Sequence, residues 1–134
     1  MLLHLPIDLS NPNSYDNVLQ PYGLANISSY LKQQKHNVFL YDANAYHVDR
    51  NIILKSINEY KPDLLGLTVY TSQLPQTISF LKDVKARFPN IVTVLGGPHP
   101  SSSEYENMLI QNPEVDIVCQ REGEYTMHEL INAM

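Results

Sequence analysis

The stretch Val92–Glu106 reads VTVLGGPHPSSSEYE. Its first four residues have the composition of a β-strand. Two glycines follow, then Pro98, His99, Pro100 and three serines. A strand that ends in residues without side chains has two readings. It is a plain strand-to-helix turn, or a place where something bulky comes close to the backbone. The surrounding sequence has to decide between them.

Four more short apolar runs share this character: Leu2–Leu5, Asn37–Tyr41, Asp63–Val69 and Val115–Cys119. With Ile91–Leu95 they predict five strands. The runs at 63–69 and 91–95 are nearly continuous in apolar residues, as central strands covered on both faces should be. Between the runs the spacing turns helical. Leu24, Ile27 and Leu31, with Tyr30 beside them, make one stripe. Val48, Ile52, Ile53, Ile57 and Tyr60 make a second, and Leu74, Ile78, Leu81, Val84 and Phe88 a third.

Punctuation agrees with these boundaries. Pro62 and Pro89 follow the second and third helical runs, and Pro75 sits just inside the third, where its missing N–H costs nothing. The serines at 101–103 are expected to cap a fourth helix, with Glu104 and Glu106 in its first turn. A last helix is expected over EYTMHELINAM, Glu124–Met134. Strict strand–helix alternation implies a parallel sheet with right-handed crossovers. The expected fold is α/β and flavodoxin-like (Rossmann-type): a doubly wound parallel five-stranded sheet in the order 2-1-3-4-5, with helices on both faces. One domain accounts for all 134 residues.

Composition narrows the function. With 43% hydrophobic and 17% charged residues, the chain is globular. A net charge of −5 without a Lys/Arg cluster argues against nucleic acid as a partner. Cys119 is the only cysteine, which excludes an internal disulfide and any zinc or iron–sulfur site built from this chain's own thiolates. The start, MLLHLPIDLS, has neither a basic n-region nor a spanning length, so the expectation is a cytoplasmic protein without a membrane partner.

Ligands of such sheets bind beyond the carboxyl ends of the strands, at the topological switch point. The first loop there, Pro6–Gln20, is long, polar and without periodicity, as functional loops are. A phosphate-accepting receiver domain is excluded, because Thr68 stands where the phosphorylated Asp should be and Gln120 or Arg121 where the Lys should be. No G-x-G-x-x-G follows the first strand and no P-loop exists. The edge is instead rich in hydroxyls and glycines: Thr68, Thr71, Ser72, Ser101–Ser103, Gly66, Gly96 and Gly97. It is suited to holding a large, mostly uncharged molecule rather than to moving protons.

Three motifs then agree in order and spacing: P-Y-G-L at 21–24, L-G-G-P-H at 95–99, and G-E-Y-T at 123–126. From Pro21 onward the chain resembles the amino-terminal cobalamin-binding domain of cobalamin-dependent radical S-adenosylmethionine enzymes. The resemblance implies a cobalamin whose nucleotide tail enters a slot at the sheet's carboxyl edge while its corrin ring lies across the loops. It implies that Thr68 and Ser72 turn hydroxyls toward the tail, and that Tyr70 and Leu74 line the entrance. Gly96 and Gly97 leave room for the tail, Pro98 and His99 shape the rim, and Glu122, Gly123 and Glu124 form the last wall. The D-x-H-x-x-G that carries a cobalt-ligating histidine in other cobalamin folds is absent. The cofactor is therefore expected base-off with no protein histidine on cobalt, and His99 is a rim residue.

The same resemblance implies a parent enzyme, a methyltransferase or a cyclase. Its carboxy-terminal radical domain would carry the iron–sulfur cluster and S-adenosylmethionine. The C-x-x-x-C-x-x-C that such a domain needs is not in this sequence, so the 134 residues are expected to be the cobalamin-binding fragment, not catalytic alone. Two rivals remain: a ligand-free regulatory or interaction module of the same fold, and a flavin- or nucleotide-binding domain using the same edge. At single residues, Asp42 and Asn44 read as turn and cap residues. Glu122 and Glu124 read as helix-dipole partners rather than an acid/base pair, and Cys119 as a small buried hydrophobe.

Overall fold

A computed structural model of the chain describes residues 1–9, 11, 20–102 and 109–134, the side chain of residue 102 excepted. Five parallel strands form one sheet: β1 Leu2–His4, β2 Leu40–Asp42, β3 Leu64–Thr68, β4 Val92–Gly96 and β5 Ile117–Val118. Their order is β2-β1-β3-β4-β5, as the alternation predicts. The helices whose two ends lie within the described residues are α1 Tyr22–Gln33, α2 Arg50–Tyr60, α3 Leu74–Arg87, α4 Pro98–Ser102 and α5 Glu124–Ala133. A single 3-10 turn, Thr71–Gln73, leads into α3.

Strand alternation sorts the core onto two faces. Leu3, Leu65 and Leu95 point to one side, where they meet Ile53, Ile57, Phe80, Leu81 and Val84 of α2 and α3. Leu2, Leu64 and Val94 point to the other, against Leu24 and Leu31 of α1 and Met127 of α5. Leu3, Ile53, Leu65, Phe80 and Leu95 are fully buried, and each such side chain contributes roughly 1.5–3 kcal/mol relative to leaving it in water.

Local signals set the ends of the helices. Asp49 caps α2, its Oδ1 accepting from Asn51 N at 2.8 Å and Ile52 N at 3.0 Å. Lys61, in the left-handed region at φ 51°, closes that helix ahead of Pro62. Pro75 sits in the first turn of α3.

One expectation is corrected. The stripe of α2 is Ile53, Leu54 and Ile57, whereas Ile52 is 46% exposed. The cap at Asp49 sets the helix phase, and a periodic reading of three neighbouring aliphatics cannot choose between adjacent residues. A short helix, α4, starts at Pro98 directly after β4, and the start of a helix after the serines falls on residues outside the described ones. Gly97, at φ +100°, turns the chain at once after β4, and proline suits a first helical position. Ser101 therefore lies inside the helix and donates its hydroxyl back to Gly97 O at 2.9 Å. Ser103, Glu104 and Glu106, and most of the polar first loop, lie outside the described residues.

Candidate functional site

The carboxyl edge holds a narrow slot of about 130 Å³ between the sheet and the α1/α5 layer. Leu2, Gly66 and Val94 of the sheet floor it, with Leu24 and Ile27 of α1 and Met127 of α5 opposite. Thr68, Gly96, Gly97 and Cys119 wall it, and Arg121, Glu122, Gly123 and Glu124 ring its mouth. Its interior is therefore apolar and its mouth polar and charged.

The glycines at this slot do different work. A Cβ on Gly23 would meet nothing within 4 Å, and one on Gly96 would come no nearer than 3.6 Å to Cys119 O. At Gly23 the missing side chain leaves open space, and at Gly96 it leaves room that a methyl group would fill at ordinary contact distance. Gly97 serves the fold instead: its φ is +100°, and a Cβ there would lie 2.5 Å from Thr68 Oγ1. The expectation that Gly97 leaves room for a ligand is corrected to that extent, because the space beside it is already filled by Thr68 and Val69.

Hydrogen bonds tie three loops into one rim. Val69 N donates to Gly96 O at 2.9 Å and His99 N to Val69 O at 3.1 Å. Thr71 Oγ1 and His99 Nδ1 lie 3.1 Å apart. Arg121 N donates to Ser101 Oγ at 3.0 Å, and Gln120 Nε2 to Pro100 O at 3.0 Å. Arg121 takes a left-handed φ of 60° to make that turn, a conformation uncommon for residues other than glycine and typical of constrained loops. Cys119 is 6% exposed, and burial raises its thiol pKa, so it stays a neutral thiol in the slot wall.

The residues singled out in the sequence divide among three places. Thr68, Gly96, Gly97, Glu122 and Gly123 meet at the slot. Tyr70 and Ser72 line a second cavity at the same edge, with His4, Ile7, Asn44 and Gln73. Pro98 is exposed and His99 half-buried at the start of α4, beside the slot wall. Leu74 is half-buried and packs against the core on the α2/α3 face. Asp42 is a turn residue, accepting from Ala45 N at 3.1 Å, and it also pairs with His4 at 2.9 Å.

Gly23, Ile27 and Met127 were not legible as slot residues from local sequence. P-Y-G-L was the one signal for Gly23, whose glycine stands at a helix position that gains nothing from it. Among the described residues, no group of three or more His, Cys, Asp or Glu side chains comes together to hold a metal ion. No described helix is long and apolar enough to cross a membrane.

A ligand that fits this slot has a narrow, largely apolar end. The volume is well below the ~300–1,000 Å³ of pockets that enclose a whole small molecule, so the rest of a large ligand must lie over the rim. The open faces of Gly23 and Gly96 suit a flat tail, and the residues present fit the nucleotide end of a cobalamin.

Comparison with known proteins points the same way. The chain is 32% identical over 114 residues to an uncharacterized methyltransferase of Pyrococcus horikoshii, across 85% of this chain and 24% of that protein. It is 31% identical over 115 residues to the anaerobic magnesium-protoporphyrin IX monomethyl ester cyclase of Rubrivivax gelatinosus, across 85% of this chain and 20% of that one. The fold superposes on the cobalamin-dependent S-adenosylmethionine radical enzyme OxsB, solved with aqua-cobalamin and S-adenosylmethionine bound. The TM-score is 0.77 and the identity 27%, over 98% of this chain and 18% of OxsB. The chain thus spans about a fifth of the length of the proteins it matches. The family model for the B12 binding domain matches residues 13–131, and the chain belongs to that family.

Proposed function

We propose that this chain holds cobalamin, with the nucleotide tail in the slot and the corrin ring over the loops at the carboxyl edge. The observation that carries this reading is the slot itself, a narrow apolar cleft kept open by Gly23 and Gly96 beneath a hydrogen-bonded rim. Thr68 and Gly96 flank the tail, Gly97 fixes the wall behind it, and Glu122 and Gly123 close the far side. Tyr70, Ser72 and His99 stand where the corrin edge would rest, with Pro98 on the rim beside them. His99 would stand on the rim rather than on the metal, and this chain would hold the cofactor through its tail.

In the same reading the chain is the cofactor-holding part of a larger cytoplasmic radical S-adenosylmethionine enzyme of methyltransferase or cyclase type. When bound, cobalamin supplies a cobalt centre for methyl transfer or radical chemistry. The iron–sulfur cluster and S-adenosylmethionine belong to the rest of the parent. This chain contributes binding, orientation and exclusion of water from the tail. Nothing in the slot is arranged to transfer protons, since its interior is apolar and its thiol neutral.

Incubation with hydroxocobalamin followed by desalting tests the reading. Co-elution of the corrin absorption with the protein at a fixed stoichiometry is the expected result. A colourless protein, both for this chain and for one extended by its parent's following domain, would overturn it.

A further inference from the structure

Away from the slot, at the amino-terminal edge of the sheet, one buried carboxylate oxygen has no donor. Glu114 stands just before β5 and is 5% exposed. Among the described residues its Oε1 is the one buried side-chain oxygen or nitrogen that makes no hydrogen bond. Its ion-pair partner Lys82 holds Nζ 3.9 Å away, beyond hydrogen-bonding reach, on a side chain that is 67% exposed. A screened contact of that kind contributes little, whereas a buried carboxylate oxygen without a donor is costly.

The turn around Glu114 keeps it in place. Thr93 Oγ1 donates to Glu114 O at 2.7 Å, and Val115 N donates to Asn112 O at 2.9 Å. Pro113 stiffens the chain before it, and Val115 after it is buried. The neighbouring charges are already engaged with each other. Lys85 Nζ donates to Ile91 O at 2.7 Å and to Asp116 Oδ2. That same Asp116 oxygen accepts from Thr93 N at 2.7 Å.

Glu114 opens onto a shallow depression of about 440 Å³ that Lys82, Lys85, Pro89, Pro113 and Asp116 also line. Its missing partner must be a donor that arrives from outside. An anion would meet the carboxylate. A divalent cation has too few ligands, since among the described residues no three His, Cys, Asp or Glu side chains converge, and two lysines line the place. A guanidinium suits it best. It is flat enough to lie along the proline rings and weakly hydrated, and its fork of N–H groups serves Glu114 with others left for Asp116. An ammonium is a strongly hydrated point charge and gains less.

We propose that this depression receives an arginine side chain of a partner protein segment, which donates to Glu114 Oε1. Charge complementarity selects the occupant. The chain carries a net charge of −5, and Glu114 is the buried carboxylate whose pairing is incomplete. Lys82 is the competitor that the arginine displaces. The interaction surface lies at the opposite end of the strands from the slot, and the inference stands whether or not the slot binds cobalamin.

The test follows the backbone amides of the chain by NMR during titration with methylguanidinium and, separately, with methylammonium. Saturable shifts are expected at Glu114, Val115 and Asp116, with methylguanidinium binding about threefold or more tighter than methylammonium. Glu114→Gln should weaken methylguanidinium binding by about tenfold. Lys82→Ala, at an exposed position, should bind it as tightly as the wild type or up to about threefold more tightly. Equal affinity for the two ions, no saturable shift at those amides, or shifts that survive Glu114→Gln overturns the proposal. Weaker binding by Lys82→Ala overturns it too, and that result can be read even if Glu114→Gln fails to fold. Shifts of the same amides with protein concentration alone would assign the depression to a second copy of this chain and equally overturn it.

Discussion

Gly97 and Thr68 are interlocked: a Cβ at position 97 would stand 2.5 Å from Thr68 Oγ1, on a backbone at φ +100°. The tip of β4 and the end of β3 are thereby fixed to each other at the slot wall, and Val69 N donating to Gly96 O at 2.9 Å adds to the clasp.

Gly97→Ala should therefore damage the fold. The left-handed backbone and the clash together are expected to cost about 1–3 kcal/mol, read as a lower urea midpoint with an unchanged slope.

Gly23→Leu should do the reverse. A Cβ there meets nothing within 4 Å, and leucine is a better helix former than glycine by up to about 1 kcal/mol. The unfolding midpoint should hold or rise. Cobalamin affinity should fall by at least about tenfold because the side chain enters the slot. Loss of stability with unchanged binding would show that Gly23 is there for packing.

The contrast between these glycines marks the limit of local sequence. The strand order was legible, because β3 and β4 are short apolar runs separated by helical stripes and five alternations leave few topologies. The pair Gly96-Gly97 marked the right loop. It did not reveal that only one of the two leaves space, since that depends on Thr68 packed across from the neighbouring strand. Leu74 lies in the core stripe that periodicity predicts, with Ile78, Leu81, Val84 and Phe88. The His4–Asp42 pair is set by strand register between residues far apart in the chain, so no motif announces it.

Asp116 makes stability pH-dependent at the other end of the sheet. Burial raises its pKa, but hydrogen bonds from Lys85 and Thr93 outweigh that and hold it below its usual value of 3.8. Because the folded pKa is the lower one, the contribution is present above pH 3.8 and is lost as pH falls through the folded value. Unfolding free energies of wild type and Asp116→Asn should differ at neutral pH and converge as the pH falls below 3.8, the side chain's exposure keeping the difference modest.

Cys119 offers a reporter inside the slot. Its buried, neutral thiol should react slowly with a disulfide reagent at pH 7.5, and more slowly still once hydroxocobalamin fills the slot it walls. Unchanged labelling in the presence of bound cofactor would place the tail elsewhere.

Capping supplies a check on the framework independent of any ligand. Asp49 accepts two backbone N–H groups at the start of α2, so Asp49→Ala should lower stability by about 1 kcal/mol. Cobalamin binding should be untouched, since α2 lies on the opposite face from the slot.

The most direct test of the central claim is an amide-resolved NMR titration of the chain with diamagnetic hydroxocobalamin. Saturable shifts should concentrate at Gly23, Ile27, Thr68, Gly96, Gly97 and Gly123, with α2 and the amino-terminal edge of the sheet unmoved. Shifts absent at those six positions, or centred on another face, would contradict it.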